Sequence, residues 1–167
     1  MANASLASVM AIFYGLYQNE AYLALMIASI GVSAADTWAS EMGKKSTSRP
    51  FHIFKLEPMD KGLSGAVSIR GVIASFAAGL TFAFLASFVV ASFLLVFMVG
   101  VISFSGSIID SMLGTVQVKY MDPVTQTLTE QKALQYAYHS GIKYLGNNGV
   151  NFLSNLMSIL IMLLFIK

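Results

Sequence analysis

The sequence contains no cysteine, which excludes disulfide bridges and thiolate metal sites. It is also short of charge. Only 11% of its 167 residues are Asp, Glu, Lys or Arg, less than half of the roughly 25% usual in soluble domains. Eight acids and ten bases cannot furnish the polar coat that a water-soluble core of this size needs. A soluble enzyme, a disordered tail and a nucleic-acid-binding arm are thereby excluded, and nucleic acid with them as a partner. There is no internal repeat and no low-complexity linker. No basic residue precedes Lys44, so the first apolar segment does not read as a secretory signal peptide. The two histidines, His52 and His139, have no metal-ligand spacing around them and read as surface residues.

What is present in quantity is apolar: 56% of the residues are hydrophobic and the mean hydropathy is +0.71. The solvent implied is lipid. The expected fold is all-α, a polytopic membrane helix bundle of one domain covering residues 1–167. A spanning helix needs about 20 mostly apolar residues. Five spans are expected, at about 5–17, 21–41, 65–87, 91–113 and 149–166. Gln18, Asn19 and Glu20 close the first span. The uncharged stretch from Gly71 to Ile109 is too long for one helix and suits two joined by a turn near Ser87–Ser92. Between spans four and five, residues 116–120 and 124–129 alternate with period two about Asp122-Pro123, the pattern of a short β-hairpin outside the membrane. Residues 130–144 are expected as a surface helix or loop.

Lys44, Lys45, Arg49, Lys55, Lys61 and Arg70 lie in or beside the loop after span two, and Lys119, Lys132 and Lys143 in the loop after span four. Only Lys167 lies beyond span five. With five spans both basic loops fall on one side, which the positive-inside rule makes cytoplasmic. The N-terminus is then expected inside and the C-terminus outside.

An ionisable residue within an apolar span costs at least about 2.5–3.5 kcal/mol, so each is a functional candidate. Asp36 and Asp110 are the clear cases, both toward the cytoplasmic end. Asp36 continues a stripe of Ser29, Ser33 and Ser40 at helical spacing, with Glu41 slightly off it. The plainer alternative is a solvated helix end with Trp38 as an interfacial anchor. Asp110 lies among Ser103, Gly106, Ser107 and Gly114. Those small residues suit close helix packing, which explains the glycines and leaves the carboxylate unexplained. Lys61-Gly-Leu-Ser-Gly65 opens the third span. A Gly/Ser turn at a helix start presents free N–H groups to a phosphate; an ordinary capped helix is the equal alternative. The Walker spacing is absent. Arg70, two turns into that helix, needs a carboxylate or a phosphate as partner. Asn148, Asn151 and Asn155 share one face of the fifth span, with a helix cap or interhelical hydrogen bonds as the bland explanation.

Two carboxylates from different helices suit Mg²⁺, which takes a few carboxylates plus substrate phosphates and water. Lys61, Arg70 and the glycine turn suit phosphate, and the spans suit a lipid tail. The combination fits phosphoryl transfer to a lipid at the interface, where catalysis is positioning plus charge stabilisation. The competing expectations are a small-molecule transporter or channel, which would place polar residues at the midplane and on both sides, and a non-catalytic membrane scaffold.

Four strings occur in order: Ala35-Asp-Thr-Trp-Ala-Ser-Glu41, Gly62-Leu-Ser-Gly-Ala-Val-Ser68, Gly106-Ser-Ile-Ile-Asp-Ser-Met-Leu-Gly114 and Asn147-Asn-Gly-Val-Asn-Phe-Leu-Ser154. They resemble the integral membrane family of transmembrane protein 19, which includes the plant phytyl-phosphate kinase of tocopherol synthesis. The resemblance covers roughly residues 20–160, and its first string is the most specific. It implies a nucleotide-dependent kinase, using CTP, that phosphorylates an isoprenoid alkyl monophosphate; prenyl-alcohol kinases and cytidylyltransferase-like lipid enzymes are the related alternatives. Mg²⁺ is the implied cofactor. The partners are the nucleoside triphosphate, the isoprenoid phosphate and membrane lipids, with a homo-oligomer allowed. Asp36, Asp110 and Lys61 are the expected catalytic residues, and Asp36, Glu41 and Asp110 the metal ligands. Ser64, Gly65, Ser68, Arg70, Asn148 and Asn151 are expected to bind the nucleotide. Two departures stand out. Family members carry more hydrophobic sequence before the aspartate motif, which implies spans that this chain lacks at its N-terminus. Leu63 stands where a threonine is expected, removing one hydroxyl from the glycine turn.

Overall fold

The computed structural model describes residues 2–166; Lys167, the base expected beyond span five, lies outside them. Five helices run through the described residues: α1 (Ala2–Tyr17), α2 (Glu20–Lys44), α3 (Ile69–Ala86), α4 (Phe93–Gly114) and α5 (Asn147–Leu163). The protein is a membrane helix bundle carrying two small sheets. α2, α3 and α4 are long and apolar enough to cross a membrane. α1 and α5, at 16 and 17 residues, are about 24–26 Å long, less than the ~30 Å hydrocarbon core. Phe76, Leu80, Phe84, Phe93 and Phe97 are exposed on the outside of the bundle, as lipid allows and water would not.

Three helix starts are fixed by a side-chain cap. Asn19 caps α2 by accepting from Ala21 N–H, Ser68 caps α3 through Gly71 N–H, and Ser92 caps α4 through Leu95 N–H. α3 and α4 are joined by residues 87–92, where the uncharged stretch predicts the turn. α3 begins four residues later than expected, because residues 66–67 are taken into a strand.

That strand is β2 (Ala66–Val67), which pairs antiparallel with β1 (Phe51–His52). The second sheet is β3 (Lys119–Met121), β4 (Leu128–Thr129) and β5 (Ala137–Ser140), in the order β4-β3-β5. β3 and β4 form the hairpin expected about Asp122-Pro123, with Tyr120 opposite Thr129 and Met121 opposite Leu128. It is narrower than the alternation suggests. Residues 130–144 are the expected loop except at β5, which corrects the expectation for 137–140 by pairing antiparallel with β3, Tyr120 opposite Tyr138. The signal for β5 lies in its partner strand and not in its own pattern.

α2 is the central helix and packs on all four others. The apolar core sits in one half of the bundle, built from Leu25, Ala28 and Val32 of α2, Val99 and Ile102 of α4, and Ile159 and Met162 of α5. At that end the connections are short, and Glu20 Oε2 accepts from the N–H of Ala91 (2.8 Å) and Ser92 (3.4 Å), anchoring the α2 start to the α4 start. The long segments 45–68 and 115–146 meet at the other end.

Candidate functional site

α2 and α4 run in the same direction and touch where α4 has no side chain. A Cβ at Gly106 would lie 2.5 Å from Val32 Cγ2 and 2.8 Å from Ser158 Oγ. Only glycine admits this approach. One turn further along both helices stand Asp36 and Asp110, and their carboxyl groups are in hydrogen-bonding contact. Two carboxyl groups so placed need a proton or a cation between them. α5 packs against the same seam in the opposite direction, so that Ser154 Oγ donates to Asp110 Oδ2 at 2.8 Å. A helix interior thus delivers the pair to one spot, and three helices hold it there.

The pair lines a polar cavity of about 490 Å³ at the end of the bundle where the long segments meet. Its opposite wall is the turn before β2. Gly62 and Gly65 have φ of +89° and +87°, the left-handed region that glycine tolerates, and their turn presents Ser64 toward the cavity. The turn lies directly on the end of α4: a Cβ at Gly114 would meet Ser64 Cβ at 2.8 Å and Gly65 N at 2.9 Å.

Of the residues expected in the site, Asp36, Asp110, Lys61, Ser64, Gly65, Ser68 and Asn151 line this cavity. They come from α2, the glycine turn, the start of α3, α4 and α5. Ser68 is also the α3 cap, with Oγ accepting from Gly71 N at 3.1 Å. Lys61 Nζ donates to the Ser46 carbonyl. Three expected residues are elsewhere. Glu41 is exposed and paired with Lys44 at 2.9 Å, since a residue five positions beyond Asp36 points away from the α4 seam. Arg70 projects outward and donates to the Lys45 carbonyl at 3.4 Å, so a backbone oxygen takes the place of the expected carboxylate or phosphate. Asn148 is exposed, and Asn147, one residue earlier, lines the cavity instead. Asn155 is buried among the helices, donating to Ser29 O (2.9 Å) and Ser33 Oγ (3.1 Å). Among the described residues no three His, Cys, Asp or Glu side chains cluster as metal ligands.

Sequence reasoning missed Ser154 and Glu130. For Ser154 a signal existed, because Asn147, Asn151, Ser154 and Ser158 repeat at the same helical spacing as the Ser29 stripe. Glu130 had none. Its carboxylate reaches across from the end of β4 and accepts from the N–H of Ser64, from Ser64 Oγ at 2.9 Å and from Gln117 Nε2 at 2.7 Å. Nearby Lys119 is buried and donates to the carbonyls of Gly114 (3.2 Å) and Thr115 (3.3 Å) at the end of α4. Burial holds its ammonium below the usual lysine range, and the Glu130 charge works against that shift.

The family described as integral membrane protein DUF92 matches residues 1–159. The chain belongs to this family. Protein PGR of Arabidopsis thaliana is 36% identical over 157 residues, 84% of this chain and 54% of its own length. An uncharacterized membrane protein of Synechocystis sp. is 35% identical over 120 residues, 71% of this chain and 43% of its own length. The chain therefore spans about half the length of these curated relatives. No solved structure matches it. Membership bears out the resemblance drawn from the four strings, and the family match over residues 1–159 spans every cavity residue named above.

Proposed function

We propose that this DUF92 protein transfers a phosphoryl group from a nucleoside triphosphate, CTP by the resemblance, to an isoprenoid alkyl monophosphate. The reaction takes place at the cytoplasmic face of the membrane, with the N-terminus inside. The observation that carries the reading is the contact of Asp36 with Asp110 in the wall of a polar cavity that also holds Lys61 and the Ser64–Gly65 turn. Two carboxyl groups in contact fit a site for Mg²⁺, which binds through one or two carboxylates and keeps water and phosphate oxygens for its other positions. Asp36 and Asp110 would hold it, and when bound it neutralises charge on the transferring phosphate. Glu41 takes no part.

The chain's own groups supply the rest. Ser154 fixes the orientation of Asp110. The Gly106 contact fixes the separation of the two helices that carry the pair. Lys61, on an exposed turn and held at the Ser46 carbonyl, brings a positive charge to the cavity for the phosphate oxygens. The lipid acceptor reaches the cavity from the bilayer and the nucleotide from water, which is why the site belongs at a membrane boundary.

The test is transfer of label from each NTP to phytyl, geranylgeranyl or farnesyl monophosphate, with Mg²⁺ and purified protein in detergent. Asp36→Asn and Asp110→Asn are run alongside. Transfer that both variants abolish supports the reading. No transfer to any prenyl phosphate or prenyl alcohol overturns it, and transfer that both variants leave intact moves the site elsewhere.

A transporter is the second reading. It is favoured by the polar groups that continue inward from the pair, Ser158 and Asn155 on α5 and Ser29 and Ser33 on α2. Solute flux into proteoliposomes without phosphoryl transfer would select it.

A further inference from the structure

The geometry points to an anion site that the chain fills with its own Glu130: Ser64 N–H, Ser64 Oγ and Gln117 Nε2 form a cradle for a phosphate group, and the Glu130 carboxylate closes it until a phosphate displaces it. This rests on reading the cavity as phosphate-binding, and not on any transfer step.

Three observations carry it. The donors converge on one point. A backbone N–H, a hydroxyl and an amide N–H from segments 53 residues apart all end on the two oxygens of one carboxylate. Donors so arranged recognise an oxyanion, and Ser64 and Glu130 stand in the wall of the cavity that Asp36 and Asp110 line. A phosphate bound there would face the pair and gain a second charge and a third oxygen over the carboxylate.

The second observation is that the network is incomplete. Gln117 is 1% exposed and its Oε1 has no hydrogen-bond partner. Here the amide is engaged on its donor side alone, toward the carboxylate.

The third is that the segment carrying Glu130 is lightly held. It follows β4, a two-residue strand at the edge of its sheet, held by the two pairs with β3. Residues 131–136 beyond it form neither helix nor strand. Short edge strands and irregular segments open at low free-energy cost. The cradle itself is rigid by contrast, clamped between Gly65 and the end of α4.

A site closed part of the time binds its ligand with an affinity reduced by the open fraction. Glu130→Gln keeps the size of the side chain and removes its charge. Dissociation constants would be measured for inorganic phosphate, for a nucleoside triphosphate and for an alkyl monophosphate in mixed micelles; the last two tell a water-borne source from a lipid one. The expected result is tighter binding of phosphate by the variant, by about tenfold for a cradle open roughly a tenth of the time. Ser64→Ala in the same background should cancel the gain. In the wild-type chain, phosphate should speed amide hydrogen exchange across residues 128–136, as Glu130 is released. Equal or weaker phosphate binding by a folded Glu130→Gln variant would overturn the proposal and leave Glu130 a fixed tie. So would phosphate binding to the wild type with exchange at 128–136 unchanged, a measurement that needs no variant to fold. Phosphate binding as expected without transfer to any acceptor would sink the kinase reading alone.

Discussion

The two ends of the bundle use carboxylates in opposite ways. At the end where the connections are short, Glu20 accepts from the N–H groups of Ala91 and Ser92 just before α4, over an apolar core of Leu25, Val99, Ile159 and Met162. That acid closes a helix start and faces no cavity. At the other end Asp36 meets Asp110, and Glu130 sits in a cradle, around a cavity of about 490 Å³. The same side-chain chemistry is therefore structural at one end and poised at the other. What differs is the ratio of donors to acids. Glu20 has two loop N–H groups to itself, whereas Asp36, Asp110 and Glu130 share the lining of one cavity with Lys44 and Lys61.

The sharpest way to break this comparison is to neutralise either member of the Asp pair. Asp110→Asn or Asp36→Asn should lower phosphoryl transfer by about 10²–10³-fold or more, the scale of losing a charge-stabilising group. The melting temperature should hold or rise, because a carboxyl pair in contact favours no folded state on its own. Labelled-phosphate transfer and thermal melts in detergent measure the two effects.

The next effect is packing. Gly106→Ala drives a Cβ into Val32 and Ser158 and should cost about 1–3 kcal/mol, as overpacking does. It should also lower transfer by parting α2 from α4. Gly15→Ala, with nothing within 4 Å of the added Cβ, is the matched control and should hold or raise helix stability. If both substitutions melt alike, the seam does not position the pair.

Glu20→Ala tests the closed end. Losing its bonds to Ala91 and Ser92 should cost about 0.5–1 kcal/mol, typical of an acid at a helix start, with transfer unchanged. A loss of transfer there would show that the two ends are coupled.

The smallest effect is a pH dependence in the hairpin. The Asp122 carboxylate accepts from Val124 N at 2.9 Å and Thr125 N at 3.4 Å, and these bonds hold it below the usual carboxylate range. A lowered value means that the charged form is favoured by the fold. Its stabilisation is complete above the ordinary value of 3.8 and is lost as pH falls below it. Amide exchange at residues 122–129 should therefore speed up below pH ~4 relative to the helices, and Asp122→Asn should remove that difference.

Much of this was legible in the residues. The scarcity of charge names lipid as the solvent, the uncharged stretch marks where α3 turns into α4, and one aspartate in each of two apolar helices marks the polar seam. The spacing of Ser29, Ser33, Asp36 and Ser40 orients α2, because a period of 3.6 leaves little freedom in which face a residue takes. Glu41 shows the limit of that logic. It lies in the same specific string as Asp36, yet its angular position on the helix turns it to Lys44 and away from α4. β5 shows another limit, since a strand of four residues is stabilised by its neighbour and not by its own pattern.

The sequence by itself therefore determined the solvent, the helical class, the polar stripes and the family. Those follow from composition and local periodicity, which need no partner. The tertiary structure alone decided which acids meet. Asp36 and Asp110 touch because Gly106 admits Val32 between two helices running in one direction, and Glu130 reaches Ser64 across 66 positions of chain. Contacts of that range depend on where two glycines let backbones close, and no local pattern encodes the distance between them.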